Sequence, residues 1–396
     1  MKRYAWVVGL VFAAACGMPP NVSDGGADAA VGEDAGFQPD AGGGTDAGDD
    51  AGVLDAGDDA GLPDAGGDDA GLPDAGPDDA GLPDAGTPDA GPDDAGSPDA
   101  GLDAGPIDAG PFDAGPPFDA GPNCPVPSGV GAPFTFRAMA ANLTSGNQQS
   151  YDPGHGLRII AGAHPDVVML QEFNYGANNP AAFDTMVNST FPDAGWAWSR
   201  GTGSIPNGVL SRFPILSSGE WTDVLTNTRG FAWAKLDLPG PNELWVISVH
   251  LLTSSAANRN TQAGNLVTFM NANIPANDYV LLGGDLNTDT RDAGQEPCFN
   301  TFSSRLVVAG PHPVDQNGLT GTNSTRTKPY DQVMPSACLR ALQVPSVIGT
   351  SFYGWGAVLD TRIYTPLSDL SPALMTDSAA SNMQHMGVVK DFAITP

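Results

Sequence analysis

No lysine or arginine occurs between Asp24 and Gly121. Across all 396 residues there are 16 basic side chains against 46 acidic ones, a formal charge of −30. Of the acids, 26 fall in that base-free stretch, so the region after Cys124 holds 20 acids and 14 bases and is only mildly acidic. That region has no Lys/Arg run, which excludes the basic footprint expected of a protein that binds nucleic acid by charge alone. The base-free stretch also lacks aromatic and β-branched residues, apart from scattered cases such as Phe112 and Phe118. It cannot bury enough apolar surface to offset its ordering entropy and is expected to be disordered.

What is there begins with a leader, "MKRYAWVVGLVFAAAC". Lys2 and Arg3 precede a short apolar stretch from Trp6 to Ala15, too short to span a bilayer as a helix. The small residues Ala13 to Ala15 lead into Cys16. The segment resembles a bacterial lipoprotein signal peptide, in which Cys16 is lipidated and becomes the mature N-terminus. An ordinary secretory signal cleaved near the same place is the alternative. Either way the chain leaves the cytoplasm, and a lipid anchor of several acyl chains would attach it stably to a membrane.

"DDAGLPDAG" recurs from Asp58, Asp68 and Asp78, with a variant from Asp93. A repeat of fixed period can mark a solenoid, but these units have no hydrophobic face to stack. Their aspartates do not follow the spacing of a calcium loop. The stretch reads as a solvated spacer of about 100 residues, spanning about 55 Å r.m.s. or more. The expected organisation is therefore a signal peptide over 1–16, a disordered linker over 17–123 and one large domain over 124–396. Three cysteines follow the leader, and in an exported chain two of them can pair. Cys298 and Cys338 are the expected disulfide, with Cys124 free or bonded between molecules. Asn142, Asn188 and Asn323 each begin a glycosylation sequon, read here as chance.

From Phe134 onward the texture changes to apolar runs of strand length. They are "FTFRAMAANL", "DVVMLQEF", "NGVLSRFPIL", "ELWVISVHLL", "DYVLLGGDLNT", "YDQVM" and "GVVKDFAI". Between them, Arg259 to Asn273 places Leu266, Phe269 and Met270 at helical spacing. Many strands and few long helices predict a layered α/β domain. Asn142, Glu172, His250, Asp285, Asn287 and His385 each stand at or beside the end of an apolar run, where α/β folds place their sites. One such residue is usually a cap or a turn. Six together, including two of only five histidines, point to a site. Glu172 offers a hard oxygen ligand for Mg²⁺ or Mn²⁺. Asp285 and Asn287, two residues apart, could activate a water and contact a phosphate oxygen. Two imidazoles suit a reaction that activates water and neutralises a developing anion. Asp331 could orient one of them.

These motifs resemble the endonuclease/exonuclease/phosphatase superfamily from about Phe134 to Phe392. In order they are "AAN" at Asn142, "PDVVMLQE" at Glu172, "NGVLSRFPI" from Asn207, "SVHL" at His250, "RNTQA" from Arg259, "GGDLNT" at Asp285 and Asn287, "YDQVM" at Asp331, and His385. The resemblance implies a four-layer α/β sandwich, with two mixed β-sheets face to face and helices outside. It implies metal-dependent hydrolysis of phosphate esters, with Mg²⁺, Mn²⁺ or Ca²⁺ as cofactor. Glu172 would bind the metal beside Asn142, and Asn142 and Asn287 would contact the substrate. Asp285 would activate water. His250 and His385 would stabilise the transition state or protonate the leaving oxygen, with Asp331 paired to His385. Where the family reads Ser-Asp-His, this chain has Met383-Gln384-His385. The expected activity is that of a phosphodiesterase acting as a monomer, with nucleic acid the favoured substrate. A phosphomonoesterase, a sphingomyelinase-like lipid phosphodiesterase and a non-catalytic surface binding protein are the alternatives.

Overall fold

The computed structural model describes Cys124 and residues 132–395, except 194, 241 and 277. The leader with Cys16 and the Asp-rich linker lie outside the described residues. In chain order the elements are β1 Phe134–Ala141, α1 His155–Ala163, β2 Val167–Leu170, α2 Pro180–Thr190, β3 Ala197–Arg200, β4 Gly208–Ser211 and β5 Ile215–Trp221. They continue with β6 Phe231–Leu236, β7 Leu244–His250, α3 Ala256–Asn273, β8 Tyr279–Asp285, α4 Cys298–Phe302, β9 Asp331–Pro335 and α5 Ala337–Arg340. The last are β10 Gln343–Val344, β11 Ser346–Ile348, β12 Ser351–Tyr353, β13 Ala357–Leu359 and β14 Gly387–Ile394.

Two mixed sheets form. One has seven strands in the order β10-β14-β1-β2-β4-β3, with β13 also paired to β14, and the other has five in the order β5-β6-β7-β8-β9. Alternation along the strands sets the layers. Ala138 and Ala140 of β1, with Val167 and Met169 of β2, face Ala234, Val246, Leu281 and Val333 across the space between the sheets. The intervening residues Met139, Val168 and Leu170 face outward and pack under Ile159, Ile160, Phe183 and Met186 of α1 and α2. On the far side Trp245, Ile247, Val280 and Leu282 pack under Ala263, Leu266 and Met270 of α3 and Phe299 and Phe302 of α4. Both faces of β2, β7 and β8 are covered, which is why they read as unbroken apolar runs. The result is the expected four-layer sandwich. Among the described residues no helix is long and apolar enough to cross a membrane.

Three details differ from the sequence reading. "NGVLSRFPIL" is two strands in two different sheets, β4 and β5, because Pro214 cannot donate to a ladder and the chain crosses over there. Helix α3 starts earlier than Arg259, since Ser255 caps it by accepting from the Asn258 amide. The disulfide joins Cys124 to Cys338, which corrects the expected Cys298–Cys338 pair. Cys298 sits free in the core under α3 and α4, whereas Cys338 packs at the rim of the core between the sheets. A sheet separates the two, so they cannot meet. The bond found closes a loop across a sequence separation of 214 residues.

Candidate active site

The register of the strands brings the polar residues to one end of the sandwich. His250, Asp285 and Asp331 stand abreast on β7, β8 and β9, because His250 pairs with Asp285 and Asp285 with Asp331. In the other sheet Ala141 pairs with Leu170, so Asn142 and Glu172 follow β1 and β2 at the same end. Strand β14 runs antiparallel to β1, which puts its entry, and His385, there too. His385 is pinned by a bridge to Asn323 and by the Met386 amide donating to Thr322 O at 2.7 Å.

The sheets approach closely here because of Gly283 and Gly284 in "GGDLNT". A Cβ on Gly283 would lie 2.5 Å from Met169 Cε, and one on Gly284 would lie 2.0 Å from Val249 O and 2.7 Å from Gln171 Nε2. Both glycines are inside β8 rather than in a turn. Gln171 uses the gap to donate to Ser248 Oγ at 2.9 Å, which ties the two sheets together. Glu172 and Asn287 both have positive φ, 52° and 49°. Asparagine tolerates that conformation, but for glutamate it stores strain of order 1–3 kcal/mol, a cost characteristic of functional positions.

Asp285 Oδ2 is the focus of the geometry. Asn142 Nδ2 donates to it at 3.1 Å and Asn287 Nδ2 at 3.3 Å. His250 Nε2 lies 3.3 Å away and His385 Nε2 3.5 Å away. The other oxygen, Oδ1, accepts from the Asn287 amide at 2.8 Å. His385 Nδ1 is 3.0 Å from Asp331 Oδ2, and the Asp331 amide donates to Thr322 Oγ1 at 2.7 Å. Glu172 accepts from Thr144 Oγ1 at 2.5 Å and from Asn142 Nδ2 at 3.3 Å. All nine of these residues are buried, none more than 8% exposed.

Burial and charge set the protonation of the group. Burial raises Glu172, with Asp285 adding to it against the opposing influence of Thr144, His385 and Asn142. Burial also raises Asp285, helped by Asp331. A carboxylate held up in this way is a stronger base once ionised. Burial and the Arg229 guanidinium push His250 well below its usual range, so its ring is neutral. Arg229 Nη1 lies 2.9 and 3.0 Å from the two ring nitrogens and donates to whichever one carries no proton. Burial works against His385 as well, but the Asp331 and Asp285 carboxylates outweigh it and hold the imidazolium up at about 10.

The donor set suits a hard divalent cation. Glu172 supplies a carboxylate. Asn142 Oδ1 is a buried acceptor with no partner among the described residues. Asp285, Asp331 and His385 also form a group that could hold a metal, their ligand atoms within 4.8 Å of one another. In that group, however, His385 Nδ1 is committed to Asp331. Gln384 is exposed and makes none of these contacts. Asp377 is paired with Arg158 Nη2 at 2.5 Å, away from the site.

Two matched motifs support the site without entering it. Arg259 Nε donates to Glu296 at 3.0 Å, and Gln262 accepts from the Leu252 amide at 2.8 Å, bracing the loop that follows His250. Asn207 donates to Gly230 O at 2.7 Å, next to Arg229. Sequence reasoning missed Arg229 and Thr144. The signal for Arg229 was present, a charged residue at the mouth of "GFAWAKL", the run that forms β6.

The Endonuclease/Exonuclease/phosphatase family profile matches residues 157–369. No curated protein matches the chain. Among solved structures, an endonuclease/exonuclease/phosphatase from Beutenbergia cavernae is 19% identical, with a TM-score of 0.45 over 66% of this chain and 72% of that one. One from Bacteroides vulgatus is 12% identical, with a TM-score of 0.45 over 66% and 99%. Beta toxin from Staphylococcus aureus is 14% identical, with a TM-score of 0.41 over 64% and 99%. The profile spans more than half of this chain and takes in Glu172, His250, Asp285, Asn287 and Asp331, and by that match the chain belongs to the Endonuclease/Exonuclease/phosphatase family.

Proposed function

We propose that the chain is a metal-dependent phosphodiesterase, with Glu172 and Asn142 holding the cation and nucleic acid as the favoured substrate. The observation that supports this most is the convergence on Asp285 Oδ2 of two imidazoles and two amides, delivered from both sheets. When bound, Mg²⁺ or Mn²⁺, or Ca²⁺ in their place, supplies Lewis-acid stabilisation of negative charge on the phosphate. Asp285, its Oδ1 fixed by the Asn287 amide, takes the proton of the attacking water. The water oxygen bonds to phosphorus as the ester P–O bond breaks. His385, oriented by Asp331, gives a proton to the departing ester oxygen. His250, neutral and anchored by Arg229, donates its ring N–H to a non-bridging oxygen, and Asn142 and Asn287 bind the substrate through their amides. Acid–base help of this kind is worth typically about 10²–10⁴-fold. Preorganised charge supplies much of the rest.

A substrate panel tests the reading. Plasmid DNA, RNA, sphingomyelin, a bis-aryl phosphate and a mono-aryl phosphate are incubated with Mg²⁺, Mn²⁺ or Ca²⁺, and with EDTA. Cleavage of nucleic acid and diester that stops with EDTA and with Glu172→Ala is expected. Activity confined to sphingomyelin or to the monoester would reject the substrate assignment, and activity indifferent to EDTA the metal. The reading extends to location, with an enzyme exported, anchored to a membrane through lipid on Cys16, and monomeric. Cys16→Ala is then expected to move the protein from the membrane fraction to the soluble one as a single-chain species on gel filtration. Retention on the membrane would count against the anchor.

A further inference from the structure

Five residues along the chain from His385, in the middle of β14, stands a second ionisable cluster, all of one sign. Lys390, on β14, is only 7% exposed, and its ammonium has no hydrogen-bond or ion-pair partner among the described residues. The charges acting on it are those of Arg340 and Arg291, and His312 feels Arg291, Lys390 and Arg340. Neutral groups hold both guanidiniums in place. Arg340, on α5, donates to Gln343 Oε1 at 2.5 Å and lies 4.5 Å from the centre of the Trp355 ring. Arg291 donates to Gln332 Oε1 at 3.3 Å and Thr320 O at 3.2 Å. Gly356 leaves room beside the Lys390 stem, since a Cβ there would lie 2.9 Å from Lys390 Cγ.

The neighbouring acid does not compensate. The Asp391 carboxylate pairs with Arg137 at 2.8 Å, and its side chain faces the opposite side of the strand from Lys390. Other buried bases of this chain do have acids: Arg259 pairs with Glu296, and Arg326 with Asp315 and Asp360. Burying like charges without a counter-ion is costly. Burial and like charges push Lys390 down to about 7 and His312 down to about 4. Lys390 is five residues from His385, roughly 17 Å along the strand.

We propose that Arg291, His312, Arg340 and Lys390 form a second anion-binding site, separate from the hydrolytic one, that takes an oxyanion: a carboxylate or a phosphate group. Two sources of that chemistry exist. Cys124 is bonded to Cys338, two residues before Arg340, and the base-free stretch that ends three residues before Cys124 in the sequence carries 26 acids. A covalent link of this kind raises the effective concentration of the carboxylates next to Cys124 in the sequence, Asp119, Asp113 and Asp108. Soluble phosphate is the other source.

Competitive acetylation of the full chain at pH 8 tests this, with Lys235 and Lys328 as internal references and chloride as the ionic-strength control. If soluble phosphate fills the site, saturating inorganic phosphate slows acetylation of Lys390 by about fivefold or more. The references do not change, and Arg340→Gln abolishes the protection. If the chain's own carboxylates fill it, Asp108→Asn, Asp113→Asn and Asp119→Asn together speed Lys390 labelling without phosphate. Lys390 labelling indifferent to both treatments, or protection that survives Arg340→Gln, overturns the site. Should Lys390 label too slowly to follow, melting temperature replaces it. Phosphate raises that of the wild type and of the triple variant but not of Lys390→Met, and the triple variant melts lower than wild type without phosphate if the carboxylates are the ligand. Equal phosphate shifts in wild type and Lys390→Met, or no shift in any chain together with an unchanged triple variant, overturn the proposal.

Discussion

The segment from His385 to Lys390 buries the same kind of charge at its two ends, with opposite results. His385 and Lys390 are both cationic groups removed from water, 6% and 7% exposed. Around His385 stand Asp331, Asp285 and Glu172, and its charged form is held up at about 10. Among the described residues the charges acting on Lys390 are those of Arg340 and Arg291, and burial with these like charges pushes its charged form down to about 7. Burial opposes charge at both ends, so the sign of each shift is decided by the neighbours. The acidic end is compensated internally and is organised for a reaction. Among the described residues the basic end has no counter-ion, and that is the ground on which we propose a binding site there.

The largest expected effect breaks the acidic end alone. His385→Ala is expected to lower kcat on a cleaved diester by between about 10² and 10⁴-fold. Asp331→Asn is expected to lower it less and leave KM nearly unchanged, since Asp331 acts through His385. Steady-state kinetics on the two variants checks both. A KM effect without a kcat effect would place these residues in binding rather than in proton transfer.

Next in size is the tie between the basic end and the N-terminal stretch. Replacing Cys124 and Cys338 by Ala together is expected to cost about 2–5 kcal/mol, because the bond closes a long loop of the unfolded chain. Urea denaturation measures it. The kcat is expected to stay within about twofold, because mutations at distant sites with no shared partners act independently. A large loss of kcat would show that the two ends are not separable.

Lys390→Met addresses the contrast directly. An unfolded lysine titrates near 10.4, and Lys390 in the folded chain is down at about 7. Between those values the unfolded state binds more protons, so stability rises with pH across that window, and the penalty is fully present below about 7. The variant is expected to gain about 1–4 kcal/mol at pH 6. It is also expected to lose the rise in stability between pH 7 and 10. Arg340, Arg291 and His312 face Lys390 and remain in the variant, so what is lost is the lysine's own contribution. Denaturant melts at pH 6, 8 and 10 compare the two chains. Parallel pH profiles would mean that Lys390 already has a counter-ion.

The sheet core was legible because its strands are covered on both faces. "DVVMLQEF", "ELWVISVHLL" and "DYVLLGGDLNT" lie on β2, β7 and β8. "FAWAKL" became β6 without being recognised, since Lys235 and a partly buried Trp233 interrupt its apolar pattern. Strands β10 to β13 are two or three residues long, too short for a period to show. Asn142, Glu172, His250, Asp285, Asn287, Asp331 and His385 were visible as polar groups at strand ends while Arg229 and Thr144 were not, and the meeting at Asp285 Oδ2 depends on register between sheets, which a linear pattern does not encode. The disulfide failed for the same reason. Cys298 and Cys338 are nearer in sequence, yet a sheet stands between them. The basic cluster went unread because Arg291, His312, Arg340 and Lys390 come from four separate segments.

The smallest expected effect concerns Gln384, where the family motif carries an acid. On sequence alone its neutrality threatened metal affinity and rate. In the fold Gln384 is exposed while His385 beside it is buried, as neighbours do when the backbone is extended. The orienting carboxylate for His385 comes from Asp331 instead, at 3.0 Å. An added acid at 384 would therefore meet water rather than Asp285. Gln384→Asp is expected to change stability by no more than about 0.5 kcal/mol and kcat by no more than about threefold, since an exposed charge near the site acts through a high dielectric. Kinetics across a metal titration checks this. A tenfold gain in rate or in apparent metal affinity would mean that residue 384 turns inward when the cation binds, and that the acidic end still lacks one of its own groups.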